Sequence, residues 1–180
     1  MNPIELLHKY YDPTSKAYHI LYTHSKAVME KALELAGLHP EIKLDIPFIK
    51  EAALLHDIGI FLTRAPEIDC HGDKPYICHG YLGADLLRQE GLPRHALVCE
   101  RHTGSGISAG MIRERHLPLP ERDMIPLSNE EKLICLADKF FSKSKDLTRE
   151  KTVQQIDKEM QAYGTEATSR LKELYDLFLK

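Results

Sequence analysis

The sequence contains no tryptophan, few cysteines and no long apolar run. Its four cysteines form no Cys-x-x-Cys pair and are too few to cross-link a chain of 180 residues, so we expect reduced thiols. No apolar segment approaches the roughly 20 residues that a membrane helix needs. The first residues also lack the basic start and apolar stretch of a secretory signal. These absences predict a cytoplasmic protein that does not contact a membrane.

The net charge is small as well. A formal charge of −3 is spread without long blocks of one sign, so the sequence has no basic surface typical of proteins that bind a nucleic acid polymer. A small molecule is therefore the expected partner. The sequence leaves the oligomeric state open, with a homodimer as one option.

The spacing of apolar residues predicts an all-α protein. Helical periodicity dominates, and no segment alternates convincingly between apolar and polar residues. The length fits one domain over residues 1–180, with a core at about 15–145 followed by C-terminal helices at 146–180.

Capping residues and glycines set the expected helix boundaries. A capping-box pattern, Ser128 to Glu131, opens the helix near residue 130. The expected helices run from Ser15 to Ala36 before Gly37, from Asp45 to Gly59, from 79 to 89, from 93 to 102, from Ser128 to about Ser142, and through the last 30 residues with a break near Gly164. We expect irregular connections at 60–78 and in the proline-rich stretch 117–127.

Ten histidines are present, and several stand on apolar helix faces. His24 lies between Leu21 and Val28, and an ionisable residue occupies a comparable position on four further expected helices. These residues are His24, His56, His79, His102 and Asp138. A single histidine in such a place is usually a hydrogen-bonded core residue. A buried carboxylate, however, is costly unless it is paired or bound to a metal.

Asp57 completes a set that suits metal ions. It follows His56 at the expected helix end, where the chain unwinds towards Gly59, so it is the natural bridge between two ions. Four imidazoles and two carboxylates are appropriate ligands for two divalent transition metals.

The order His24, His56-Asp57, Asp138 resembles the H…HD…D pattern that defines the HD-domain superfamily. The segment 52–59 is similar to the central motif of that family. The blocks His79-Gly80-x-x-Gly83-Ala84 and Arg101-His102-Thr103-Gly104 resemble the two additional histidines of its two-metal subgroup. The resemblance implies a helical bundle with the metal site where the helices converge. It also implies one ion at His24, His56, Asp57 and Asp138 and another at Asp57, His79 and His102.

The resemblance implies a metal-dependent phosphohydrolase. The expected substrate is a phosphoester or phosphoanhydride of a nucleotide or similar small molecule, attacked by metal-activated water, with His56, Asp57 and Asp138 as catalytic residues. Iron or manganese is expected first, with zinc, nickel, cobalt or magnesium as alternatives. The chain is similar to small archaeal and bacterial HD hydrolases and to HD-type dinucleoside tetraphosphate hydrolases. Ile60 stands where many HD phosphodiesterases have lysine, which disfavours a cyclic dinucleotide.

Substrate contacts are assigned to four further residues, Lys26, Arg101, Lys139 and His71, while the histidines at 8, 19, 39, 95 and 116 are taken as surface or core residues.

Two alternatives to the hydrolase function stay open. Mixed-valent diiron oxygenases, including inositol oxygenase, have the same ligand order, and a binding module could keep the metals without catalysis.

Overall fold

The computed structural model describes residues 1–144 and 146–180, and within them the protein is all-α, as predicted. Position 145, at the predicted boundary between core and C-terminal helices, lies outside the described residues. The α-helices are α1 (Pro3–Tyr10), α2 (Lys16–Leu38), α3 (Ile46–Leu55), α4 (His79–Gln89), α5 (Pro93–Arg101), α6 (Ala109–Arg115), α7 (Asn129–Lys139), α8 (Val153–Met160) and α9 (Thr165–Phe178). None of these helices is both long enough and apolar enough to span a membrane.

The segment between α3 and α4 consists largely of short secondary-structure elements and is not the irregular connection that was expected at 60–78. It contains the 3-10 helices Ile58–Leu62, Pro66–Ile68 and Tyr76–Cys78 and a two-stranded antiparallel sheet. The strands, β1 (Arg64–Ala65) and β2 (Cys70–His71), are two residues each. The four cysteines are free and buried, which agrees with the expected reduced thiols.

Side-chain caps explain where several helices begin. Asp45, the predicted cap, accepts a hydrogen bond from the Phe48 backbone N–H, and Ser15 accepts one from the Tyr18 N–H. Ser128 does the same for Glu131, but the reciprocal half of the predicted capping box is not formed. The Glu131 carboxylate accepts instead from the Leu127 N–H and from Arg101. The predicted break at Gly164 is confirmed, at a φ of +90°.

Three boundaries differ from the prediction. Gly37 does not end α2, which continues to Leu38. The third helix ends at Leu55, not at Gly59, because the chain tightens there into the 3-10 helix that contains Gly59. Helix α7 ends at Lys139 rather than near Ser142, and the short helix α6 was missed although Ser108 caps it.

Two large apolar clusters form the core. One is formed mainly by α2, α3, α7, α8 and α9 with Val98 of α5, and the other mainly by α1, α2, α4, α5 and the 3-10 helix Ile58–Leu62 with Leu55 of α3. On α2, Val28 belongs to the first cluster and Leu21 to the second, with His24 between them. The polar residues singled out from the sequence therefore lie at the boundary between the two clusters.

Two glycines, Gly59 and Gly83, allow the elements around this boundary to approach until their backbone atoms are in contact. A Cβ at Gly59 would lie 2.4 Å from the His79 carbonyl oxygen. A Cβ at Gly83 would lie 2.6 Å from Cys99 Sγ and 2.9 Å from the Gly59 nitrogen. The 3-10 helix, α4 and α5 can pack this closely only because neither glycine carries a side chain.

We expect Gly83→Ala to lower the free energy of unfolding by about 1–3 kcal/mol, because its methyl group overlaps backbone and sulfur atoms that are already in contact. Gly37→Ala is the matched control, since a methyl group at that position would have nothing within 4 Å of it. Within α2 that change should be neutral or stabilising, by up to about 1 kcal/mol. Urea unfolding of the metal-free proteins measures both effects, and equal stability of the two variants would contradict the close packing.

Candidate metal centre

Six buried side chains from five helical regions meet at one place. His24 lies inside α2 and Asp138 near the end of α7, while His79 is the first residue of α4. His56 and His102 directly follow the last residues of α3 and α5, and Asp57 comes next after His56. All six are at most 7% exposed. The structure thus brings together every residue that the sequence assigned to a metal ligand set.

The first group contains His24, His56, Asp57 and Asp138, whose candidate ligand atoms lie within 4.8 Å of one another. Asp138 Oδ1 is 2.9 Å from His24 Nε2 and 3.4 Å from His56 Nε2. Asp57 Oδ2 is 3.4 Å and 3.1 Å from the same two nitrogens. Two imidazole nitrogens and two carboxylate oxygens therefore surround one point.

The second group contains Asp57, His79 and His102. Asp57 Oδ1 is 3.3 Å from Nε2 of each histidine, and these two nitrogens are 3.1 Å apart. Asp57 therefore directs Oδ2 towards the first group and Oδ1 towards the second. This is the arrangement that a carboxylate bridging two ions requires.

Backbone carbonyls orient three of the four imidazoles. Nδ1 of His56, His79 and His102 each lies 2.7 Å from the carbonyl oxygen three residues earlier. A carbonyl can only accept, so each Nδ1 donates its proton to it and Nε2 is the nitrogen that faces the centre. Such a contact is the usual outer support of a metal-binding histidine.

The centre contains polar atoms without hydrogen-bond partners. Among the described residues, His56 Nε2 and both carboxylate oxygens of Asp57 lack a partner of acceptable geometry, although the Lys143 ammonium is 2.7 Å from Asp57 Oδ2. Buried groups of this kind are costly unless something else satisfies them. The donor set and its unpartnered atoms fit divalent transition metals.

Charge within the centre sets the protonation of most of these groups. Burial opposes ionisation of Asp57, but His56 and Lys143 hold its pKa well below the usual range. Lys139 and Lys143 do the same for the pKa of Asp138. Burial lowers the pKa of His79 to about 3 and also lowers the pKa of His102. Ionised carboxylates and neutral imidazoles are the forms that bind metals.

His56 is the exception, because the two aspartates raise its pKa to about 9 despite burial. In the absence of a metal it therefore holds a proton at neutral pH. That proton has to leave when the imidazole binds an ion.

The structure places one of the four predicted substrate residues at the centre and the other three elsewhere. Lys139 lies at the centre, with Nζ 2.8 Å from Asp138 Oδ2. The other three assignments are not supported by position. Lys26 is exposed and pairs with Glu30, Arg101 is held in an internal ion pair with Glu131 at 2.9 Å, and the 69% exposed side chain of His71 pairs with Asp69. Lys26 stands two residues from His24, which on a helix directs it away from the ligand face.

Two residues at the centre were missed by sequence reasoning. Lys143 reaches Asp57 from beyond the end of α7, and the Tyr76 ring stacks on His79 with centroids 4.6 Å apart. The Lys143 ammonium lies 5.9 Å from the Tyr76 ring centroid. Helical spacing could not place Lys143 because it follows the last turn of α7. Tyr76 lies in a segment that was expected to be irregular.

Two cavities open beside the centre. One, of about 250 Å³, is lined by His79 and by mostly apolar neighbours, including Tyr76, Ile107, Met111 and Ala167. The other, of about 400 Å³, is lined by Asp138 and three lysines, Lys139, Lys143 and Lys151. Gly104 and Tyr163 line both cavities. The centre is thus bordered on one side by a space whose lining is mostly apolar apart from Arg115, and on the other by a space rich in lysine.

Comparison with known proteins agrees with this geometry. An uncharacterized protein of Methanocaldococcus jannaschii is 34% identical over 140 residues, which cover 76% of this chain and 75% of the relative. Proteins of Thermoplasma volcanium and Picrophilus torridus, both named tRNA (cytidine(56)-2'-O)-methyltransferase, are 32% and 29% identical over 83% and 87% of this chain. The chain spans only 38% and 41% of those two relatives. No solved structure matches significantly.

The sequence profile of the HD domain matches residues 21–142. This range contains all six residues of the centre, from His24 to Asp138. The chain belongs to the HD-domain family.

Proposed function

We propose that the protein is a metal-dependent phosphohydrolase that cleaves a phosphoester or phosphoanhydride of a nucleotide or similar small molecule. The observation that supports this proposal is that Asp57 Oδ2 faces one ligand group and Oδ1 faces the other. Two metals bridged in this way can lower the pKa of a bound water towards about 7 and stabilise both the attacking and the leaving oxygen of a phosphate.

The residues of the chain have distinct roles under this proposal. His24, His56, Asp57 and Asp138 hold one ion, and Asp57, His79 and His102 hold the other. Three backbone carbonyls fix the direction of His56, His79 and His102, so the ligand geometry exists before an ion binds. Lys139 and Lys143 face the centre and can offset negative charge on the phosphate oxygens.

The surroundings favour a small substrate. The cavities of about 250 and 400 Å³ are of the size that encloses a metabolite. Two relatives are named as enzymes that act on tRNA, but this chain matches less than half of each. The net charge of −3 gives no general attraction for a polyanion. We therefore keep a small phosphorylated molecule as the proposed substrate, and iron or manganese as the first candidates for the metal.

The metal assignment predicts different losses for different ligands. Wild-type protein should hold about two transition-metal ions per chain, and Asp57→Ala should lose both because the bridging carboxylate is gone. His79→Ala should retain about one, since His79 belongs only to the second group. Elemental analysis of anaerobically purified protein measures this, and the metal-loaded wild type should also melt at a higher temperature than the metal-free protein.

His71→Ala is the control for this series, because His71 is an exposed histidine away from both ligand groups. It should retain the metal content of the wild type. The ligand assignment is wrong if Asp57→Ala, His79→Ala and His71→Ala all contain the same amount of metal.

The reaction assignment predicts hydrolysis that is independent of dioxygen. In ¹⁸O-labelled water, one labelled oxygen should enter a phosphoryl group of the products for each bond cleaved, which is inorganic phosphate from a nucleotide or a nucleotide from a dinucleoside polyphosphate. His56→Ala and Asp138→Ala should each lower kcat at least about 100-fold, because polarisation by a metal contributes several kcal/mol to the transition state. Phosphate release and mass spectrometry of the product measure both effects.

The same experiment separates the hydrolase from the oxygenase alternative. Turnover that strictly requires iron, consumes dioxygen and transfers label from the gas to the product would replace the hydrolase proposal. Activity with redox-inert metals under anaerobic conditions would support it. Either result leaves the ligand assignment unchanged, since both enzyme classes use the same set.

A further inference from the structure

Two lysines neutralise the two carboxylates of the centre. Lys139 Nζ lies 2.8 Å from Asp138 Oδ2, and Lys143 Nζ lies 2.7 Å from Asp57 Oδ2. The side chains of Lys139 and Lys143 are only 12% and 14% exposed. Two largely buried ammonium groups are thus paired with the two buried carboxylates.

The charge of the centre would change if metal ions filled the two ligand groups. Two divalent ions would bring four positive charges to a centre whose two carboxylates are already matched by two ammonium groups. Uncompensated charge is expensive in a buried site, so the loaded centre requires anions. An ion held by Asp57 would share in neutralising that carboxylate, and the Lys143 ammonium would then be available to another anionic partner.

Both carboxylates that line the cavity on this side, Asp138 and Glu159, are paired with lysines. Lys151 and Glu159 form an ion pair with each other at 2.6 Å. With both ligand groups filled, the surplus positive charge would come from the ions, and Lys139 and Lys143 are the cavity-lining cations that face it. A phosphate group with two negative charges offsets this surplus better than the single charge of a phosphodiester.

We infer that Lys139 and Lys143 bind a doubly charged phosphate, so that the substrate is a phosphomonoester or a molecule with a terminal phosphate rather than a phosphodiester. This inference rests on the proposed phosphohydrolase function and specifies its substrate class. The two lysines contact the phosphate oxygens, and the remainder of the substrate extends towards the apolar cavity next to His79.

Binding of inorganic phosphate to the metal-loaded protein tests the inference without turnover. Lys143→Met should weaken binding about tenfold or more in calorimetry, because a charge-assisted hydrogen bond in a buried site is lost. Lys143→Arg keeps the charge and should remain within about threefold of the wild type. Lys26→Met is the matched control, since it removes an equal charge from an exposed position and should leave the affinity unchanged.

Metal content and thermal melting of each variant show whether a loss of affinity reflects a loss of ions or of folding. If Lys143→Met does not load metal, Lys139→Met replaces it in the comparison. Unchanged phosphate affinity in a metal-loaded lysine variant overturns the inference.

A pair of esters with the same leaving group tests the substrate class. We expect 4-nitrophenyl phosphate to be hydrolysed with a kcat/KM at least about tenfold above that of bis(4-nitrophenyl) phosphate. Lys143→Met should remove most of this preference. A preference for the diester overturns the inference and leaves the phosphohydrolase proposal intact. If no phosphate compound is hydrolysed, the proposed phosphohydrolase function is contradicted. The phosphate affinities of the lysine variants test the role of the lysines independently of turnover.

Discussion

The arrangement of the helices around the centre depends on one fully buried carboxylate, that of Asp57. Asp57 has no exposed surface, and its charge would be prohibitively costly without partners. Four histidine nitrogens lie within 3.4 Å of its two oxygens, and the Lys143 ammonium lies 2.7 Å from Oδ2. The four histidines come from four different helical regions and Lys143 from the segment after α7, so the partners of Asp57 determine which elements must meet. The two apolar clusters then pack on either side of this meeting point.

Helix ends allow this convergence. The last carbonyls of an α-helix have no partner within the helix, and the centre uses them to hold imidazole rings. His56 directly follows α3 and bonds the Ala53 carbonyl, and His102 directly follows α5 and bonds the Cys99 carbonyl. His79 repeats the contact after a 3-10 turn, through the Tyr76 carbonyl. Gly59 and Gly83 let the same elements approach closely enough for the three rings to share one carboxylate.

Five of the six candidate ligands could be singled out because they stand on expected helix faces that are otherwise apolar, and Asp57 because it follows His56 in the H…HD…D pattern. His24 between Leu21 and Val28 is the clearest example, and the all-α fold followed from the same periodicity. Periodicity says nothing about residues beyond a helix end, so it could not place Lys143. It also could not show that Arg101 pairs with Glu131, because that contact joins α5 to the start of α7. The end of α3 at Leu55 depends on contacts between Gly59 and α4, which are distant in sequence.

Part of the wall around the ligands comes from outside the range that matches the family. The family match ends at residue 142 and contains every residue of the candidate centre. Lys143, Met160 and Tyr163, which line the cavities next to the centre, all follow it. The C-terminal helices α8 and α9 pack on α2, α3 and α7 through Ile156, Leu171 and Phe178, so they are fixed parts of these walls. A ligand set can therefore be shared across a family while the selection of substrate depends on residues outside the shared region, as expected when specificity resides in the site rather than the fold.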